Sequence, residues 1–113
     1  MNRRTFAFAL SLAVAGLLAP TLALAEDHLA EAISHTKEAI EHGKEGHAKV
    51  LVKHAQVALK HAKAAEKAQA NEHTKEGITH LKGAIAEGKK NKAEAATGHA
   101  EEALTHLESA QEK

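Results

Sequence analysis

Apolar and polar positions repeat every seven residues along most of the chain. In VKHAQVALKHAKAA and GHAEEALTHLESA, apolar residues recur at spacings of three and four, the period of an amphipathic helix. Breakers divide this pattern into segments. Gly43 and Gly46 flank a first turn, and Asn71 follows KAQA as an N-cap. Gly88 ends a further helix, and Asn91 caps the next, with Glu94 three residues on as in a capping box. The pattern predicts four helices, roughly 27–42, 47–69, 72–87 and 91–111.

The second half repeats the first. Shifted by 45 residues, His28, His35, His54 and His61 fall on His73, His80, His99 and His106. Ile33, Ile40 and Leu59 fall on Ile78, Ile85 and Leu104, and Gly43-Lys44 on Gly88-Lys89. Two copies of a helical hairpin, about 28–68 and 73–113, predict an all-α, antiparallel four-helix bundle. Except at His42, which Gly43 follows, the residue after each histidine is Leu, Ala or Thr. The fifth residue after it is usually a large aliphatic, preceded by Ala or Gly. These classes form one coiled-coil stripe, so the expected core is light, Ala-rich and closely approached by the backbones. The histidines flank it, about a quarter turn from its centre.

The first 25 residues read differently. MNRRTFAFALSLAVAGLLAPTLALA has a basic start, an apolar run and a final Ala23-Leu24-Ala25. This is the pattern of a helical secretory signal peptide cleaved after Ala25. Pro20 and the cleavage site argue against a membrane anchor. RRTF also bears a faint likeness to a twin-arginine signal, so the export route stays open. The expected mature chain is a single domain, Glu26–Lys113, placed in the periplasm and monomeric, with no stable membrane association.

Processing removes both arginines, both phenylalanines and the single methionine, leaving 13 lysines against 15 acidic residues. A slightly acidic chain without aromatics offers neither a basic field nor a stacking platform for nucleic acid. Without Cys or Met it offers no soft metal ligand and no thiol nucleophile. What it offers is ten histidines.

Histidines seven apart on one helix are separated by about 10.5 Å, too far to share an ion. Across an antiparallel hairpin, residues whose numbers have a constant sum lie level. His42 with His47, His35 with His54 and His28 with His61 share one sum, centred on the turn HGKEGH. His80 with His99 and His73 with His106 share another, while the inner rung of that hairpin is Glu87 with Lys92. Glu31, Glu38, Glu76 and Glu102 lie within a helical turn of these histidines. They are candidates to complete His-His-carboxylate sets, Glu31 and Glu38 being equally placed to pair with nearby lysines. The expected ligands are thus His28, His35, His42, His47, His54, His61, His73, His80, His99 and His106. Each rung is expected to take its own ion, giving a capacity of about five if two histidines suffice.

The segments HGKEGH, VKHAQVALKHAKAA and GHAEEALTHLESA resemble the periplasmic small metal-binding protein family. The resemblance covers nearly all of the expected mature chain. Its most specific part is H-A-x-x-A-L-x-H, matched at His54–His61 and His99–His106. It implies a four-helix bundle that binds divalent copper and other transition metals. The sequence departs from the family at EGKKNK, where a second histidine-bracketed turn is usual, which argues against a site at Glu87 and Lys92.

The expected function is an exported protein that binds several divalent transition metal ions for buffering, scavenging or transport. Imidazole suits Cu(II), Ni(II) and Zn(II), with Cu(II) favoured by intrinsic affinity. The alternative is a structural or pH-responsive helical module without a dedicated metal role. A di-metal carboxylate enzyme is not expected, because neither E-x-x-H nor H-E-x-x-H occurs.

Overall fold

The computed structural model describes residues 19–112, with side chains from Ala23 onward. Four helices follow one another: α1 Ala19–Lys44, α2 Ala48–Ala68, α3 Glu72–Lys89 and α4 Ala93–Gln111. Each packs antiparallel on the next, and α1 also packs on α4, closing a four-helix bundle of two hairpins. No helix of the described residues is long and apolar enough to cross a membrane. The greater part of the expected signal peptide lies outside the described residues. Its last part, residues 19–25, belongs to α1, which runs on through Ala25 and Glu26 without a break.

Apart from the turn residue Gly46, the seam of the bundle is the residue one after each histidine and the residue four after. Leu29, Ala32, Thr36, Ala39, Ala55, Ala58, Leu81, Ala84, Ala100, Ala103 and Leu107 are all buried. The large aliphatics at the fifth place are less central than the sequence suggested. Ile33 and Ile40 are buried, but Leu59, Ile78, Ile85 and Leu104 are only half-buried and pack against the seam from its edge. Alanine at the centre lets the axes approach closely, so bulk is pushed to the flanks. The flanks also face different neighbours. Histidines line the grooves within each hairpin, whereas Val52, the fifth residue after His47, and its repeat counterpart Thr97 reach across to the other hairpin beside Gly88 and Gly43.

Two glycines therefore act differently from the expectation. Gly88 does not end α3, which continues to Lys89. It is a buried helical position where a Cβ would stand 2.5 Å from the Val52 side chain. Gly43 holds the equivalent place on α1, where a Cβ would stand 2.0 Å from Thr97 Oγ1. The positions that turn the chain are Gly46, with φ +82°, and Asn91, with φ +64°. Asn91 is thus a left-handed turn residue and not the expected N-cap. Lys92 occupies the cap without a side-chain hydrogen bond, and no capping box with Glu94 forms. Asn can stand in for Gly in this conformation because its side chain tolerates the left-handed region. Asn71 does cap α3 as expected, accepting from the backbone N–H of His73 at 2.8 Å and of Thr74 at 3.4 Å.

Candidate metal centre

The groove between α1 and α2 holds His28, His35, His42, His47, His54 and His61. The groove between α3 and α4 holds His73, His80, His99 and His106. Level partners face one another in all five pairs. Nδ1 of His28 stands 2.9 Å from Nδ1 of His61, His35 stands 3.5 Å from His54, and His73 stands 3.4 Å from His106, each through the same atoms. The rings of His42 and His47 are centred 6.2 Å apart, and those of His80 and His99 5.9 Å apart.

The rungs are not isolated. Rings of neighbouring rungs also stack: His35 on His61, His42 on His54 and His80 on His106, with interplanar angles of 5°, 3° and 7°. The first hairpin carries one unbroken series, His28–His61–His35–His54–His42–His47, with ring centres 5.2, 6.1, 5.7, 5.4 and 6.2 Å apart. The second carries His73–His106–His80–His99 at 5.7, 5.6 and 5.9 Å. The cause is side-chain direction. A helical side chain leans toward the N-terminus of its own helix. In an antiparallel pair, level histidines therefore lean opposite ways, and each meets the next rung's partner diagonally.

Carboxylates join the ladder at four places. Three ligand atoms lie within 4.8 Å of one another in His35–Glu38–His54, His42–Glu45–His47, Glu76–His80–His106 and His80–His99–Glu102. The best-defined is the first. Its edges are 3.5 Å from His35 Nδ1 to His54 Nδ1, 3.0 Å from His54 Nδ1 to Glu38 Oε1, and 3.7 Å from His35 Nδ1 to Glu38 Oε1. The point equidistant from these corners is about 2.0 Å from each, the length of a transition-metal bond to imidazole or carboxylate. The bare pairs also fit an ion. Two nitrogens held at about 2.05 Å from a metal stand about 2.9 Å apart at a right angle and about 3.4 Å apart at the tetrahedral angle. Burial adds to the case: Nδ1 of His42 and Nδ1 of His99 are buried with no hydrogen-bond partner, a costly state for a polar atom.

Of the sequence candidates, Glu38, Glu76 and Glu102 enter such groups and Glu31 does not. Glu31 reaches only Nε2 of its own-helix neighbour His35, at 3.8 Å. His28, His61 and His73 are paired with histidine but belong to none of the four groups. The sequence reading missed Glu45, which lies 3.7 Å from His42 Nδ1 and 3.3 Å from His47 Nδ1. The signal was present. Glu38, Glu45, Glu76 and Glu102 each follow a histidine by three residues, a spacing that faces the two side chains together. Within HGKEGH, Glu45 looks like an ordinary turn residue. The sequence also gave no hint that Glu76 would pair with the diagonal His80–His106 instead of a level rung.

A search of curated proteins finds no match to the chain. The model of one family, described as small metal-binding protein, matches residues 3–110. Five facing imidazole pairs, three of them joined by a carboxylate, and a match across nearly the whole chain agree: the protein belongs to the small metal-binding protein family.

Proposed function

We propose that the protein is exported to the periplasm, is cleaved after Ala25, and there binds several divalent transition metal ions as a buffer, scavenger or carrier. It acts by coordination alone and catalyses no reaction. Cu(II) is the favoured ion, with Ni(II) and Zn(II) bound more weakly at the same sites. The observation that carries this reading is the His35–His54–Glu38 triangle, whose edges of 3.5, 3.0 and 3.7 Å suit one ion. Imidazole and carboxylate donors with no thiol suit divalent ions and disfavour Cu(I).

The carboxylates have a second use. Two divalent ions about 10 Å apart in water repel by about 1.7 kcal/mol, so filling adjacent rungs is opposed. A glutamate in each of the four three-ligand groups reduces the local charge there and offsets that repulsion. Titrating the exported protein with Cu(II), Ni(II) and Zn(II), with native mass spectrometry for stoichiometry, tests the reading. Several Cu(II) ions per chain, lost on adding chelator, are expected. A chain that binds none, yet changes conformation with pH regardless of chelator, would point to a pH-responsive helical module.

A further inference from the structure

The proposed cleavage changes the donors that stand beside His28. A cut between Ala25 and Glu26 leaves a chain beginning Glu26-Asp27-His28, with histidine third from a free amine. The amine nitrogen, the peptide nitrogens of Asp27 and His28, and Nδ1 of His28 are then joined through short covalent links. They can close fused chelate rings around one ion. We propose that export thereby creates a planar four-nitrogen site for Cu(II) or Ni(II) that the unprocessed chain lacks. The inference rests on the processing reading above and is independent of whether the ladder binds metal.

Several features of α1 favour it. In the unprocessed chain α1 passes through this segment, so the N–H groups of residues 26–28 bond to carbonyls four residues earlier. Those carbonyls, in residues 22–24, leave with the leader. The freed N–H groups become the unpaired donors of a new helix start. Glu26 and Asp27 are exposed, and the first buried residue of the processed chain is Leu29. The helix can therefore begin at Leu29 without disturbing the core. Nδ1 is the only ring nitrogen of His28 near enough to its own backbone nitrogen to join the chelate. It is also the atom His28 presents across its rung, 2.9 Å from His61. That rung belongs to none of the carboxylate-containing groups of the described residues.

The balance is one of protons. The terminal ammonium and the two peptide N–H groups each release one proton to solvent as the ion enters, and the imidazole coordinates neutral. The two peptide anions cancel the charge of the divalent ion, and nothing is oxidised or reduced. A planar four-nitrogen set suits Cu(II) and Ni(II) and is a poor match for Zn(II). Loading at this site would therefore follow export and discriminate among the ions that the ladder accepts.

The test uses protein recovered from the exported fraction and loaded with Cu(II). Three forms are compared: the natural sequence, one with a glycine inserted between Glu26 and Asp27, and His61→Ala. The natural sequence should show one Cu(II) per chain with the visible absorption and nitrogen hyperfine pattern of a planar four-nitrogen chelate. The insertion moves histidine to the fourth position while leaving every ladder side chain in place, so it should lose that one signature and keep the remaining copper. His61→Ala breaks the rung and should keep the signature. Identical spectra for the natural and inserted chains, or loss of the signature in His61→Ala, overturn the chelate while leaving processing intact. An intact mass that starts at any residue other than Glu26 overturns it through the processing reading, with ladder copper unaffected.

Discussion

At its turn the first hairpin carries His42 and His47, and the second carries Glu87 and Lys92 in the same places. The backbone does not register the change. The N–H of His47 donates to the carbonyl of His42 at 2.9 Å, and that of Lys92 donates to Glu87 at 3.0 Å. Gly46 and Asn91 supply the same left-handed residue. The turn is thus built by backbone hydrogen bonds and one left-handed position, and the bracketing side chains are free to carry chemistry or to lose it. The carboxylates differ in the same spirit. Glu38 of α1 joins the His35–His54 rung, but its counterpart in α3 is Gly83, and the ring of His99 fills the space a Cβ would need, 2.9 Å from Nδ1. Glu102 of α4 serves the second hairpin instead, 3.0 Å from His80 Nδ1. Its counterpart in α2 is the exposed Val57. At this rung one copy takes its carboxylate from the first helix and the other from the second, because either helix of an antiparallel pair can reach the shared groove.

The hairpins also fill their cores differently, and breaking this difference should have the largest effect. Ala32 and Ala62 of the first hairpin correspond to Gly77 and Leu107 of the second. Leu107→Ala should cost about 2–5 kcal/mol, read from the denaturant midpoint, because it leaves a cavity above Gly77. Gly77→Ala should cost about 1–3 kcal/mol through overpacking, since its Cβ would stand 2.7 Å from Leu107. A gain of about 1 kcal/mol in helix propensity partly offsets that. The double variant restores the first hairpin's pair and should cost less than Leu107→Ala alone. Costs that simply add would refute the size compensation.

Metal capacity should separate the hairpins next. His80 belongs to both three-ligand groups of the second hairpin, while the two groups of the first share no residue. His80→Ala should therefore remove both three-ligand positions of its hairpin, whereas His35→Ala should remove one of two. Native mass spectrometry of the Cu(II)-loaded variants reads this directly. Equal losses would mean that level rungs bind without regard to carboxylates.

Acid should release the ions from both hairpins. The ligand form is neutral imidazole, and protons compete with a metal ion for its ring nitrogen. Affinity measured by competition titration should fall steadily as the solution is acidified. A flat profile would mean that carboxylates carry the sites. The smallest effect on the fold should come from making the turns alike. Glu87→His with Lys92→His should change apo stability by less than about 0.5 kcal/mol and add one bound ion. A melting shift well beyond that would show that the inner rung contributes to the turn after all.

The heptad made much of this legible before any coordinates. Helix type, the duplication and the level pairs follow from spacing alone, because a period near 3.5 fixes one face and an antiparallel hairpin fixes a constant sum. The helix N-terminus at Asn71 was readable because Asn offers its side chain to the next turn. Asn91 was misread by the same rule, since the residue that turns a chain and the residue that caps a helix draw on the same side chains. Gly43 and Gly88 were read as breakers, yet they are close-packing positions. A glycine that ends a helix and one that admits a neighbouring side chain look identical in sequence.

The sequence by itself determined the helices, the two copies and the partner of every paired histidine. Those are matters of period, and period is local. Only the tertiary structure decided how the rungs connect and where each carboxylate goes. The diagonal stacks of His35 on His61 and His80 on His106 depend on side chains leaning in opposite senses from antiparallel helices. Glu45 closing on His42 and His47, Glu31 standing apart and His80 serving two groups depend on the path of the turn and the spacing of the axes. Neither is written in a heptad, because both arise only when two helices share one groove.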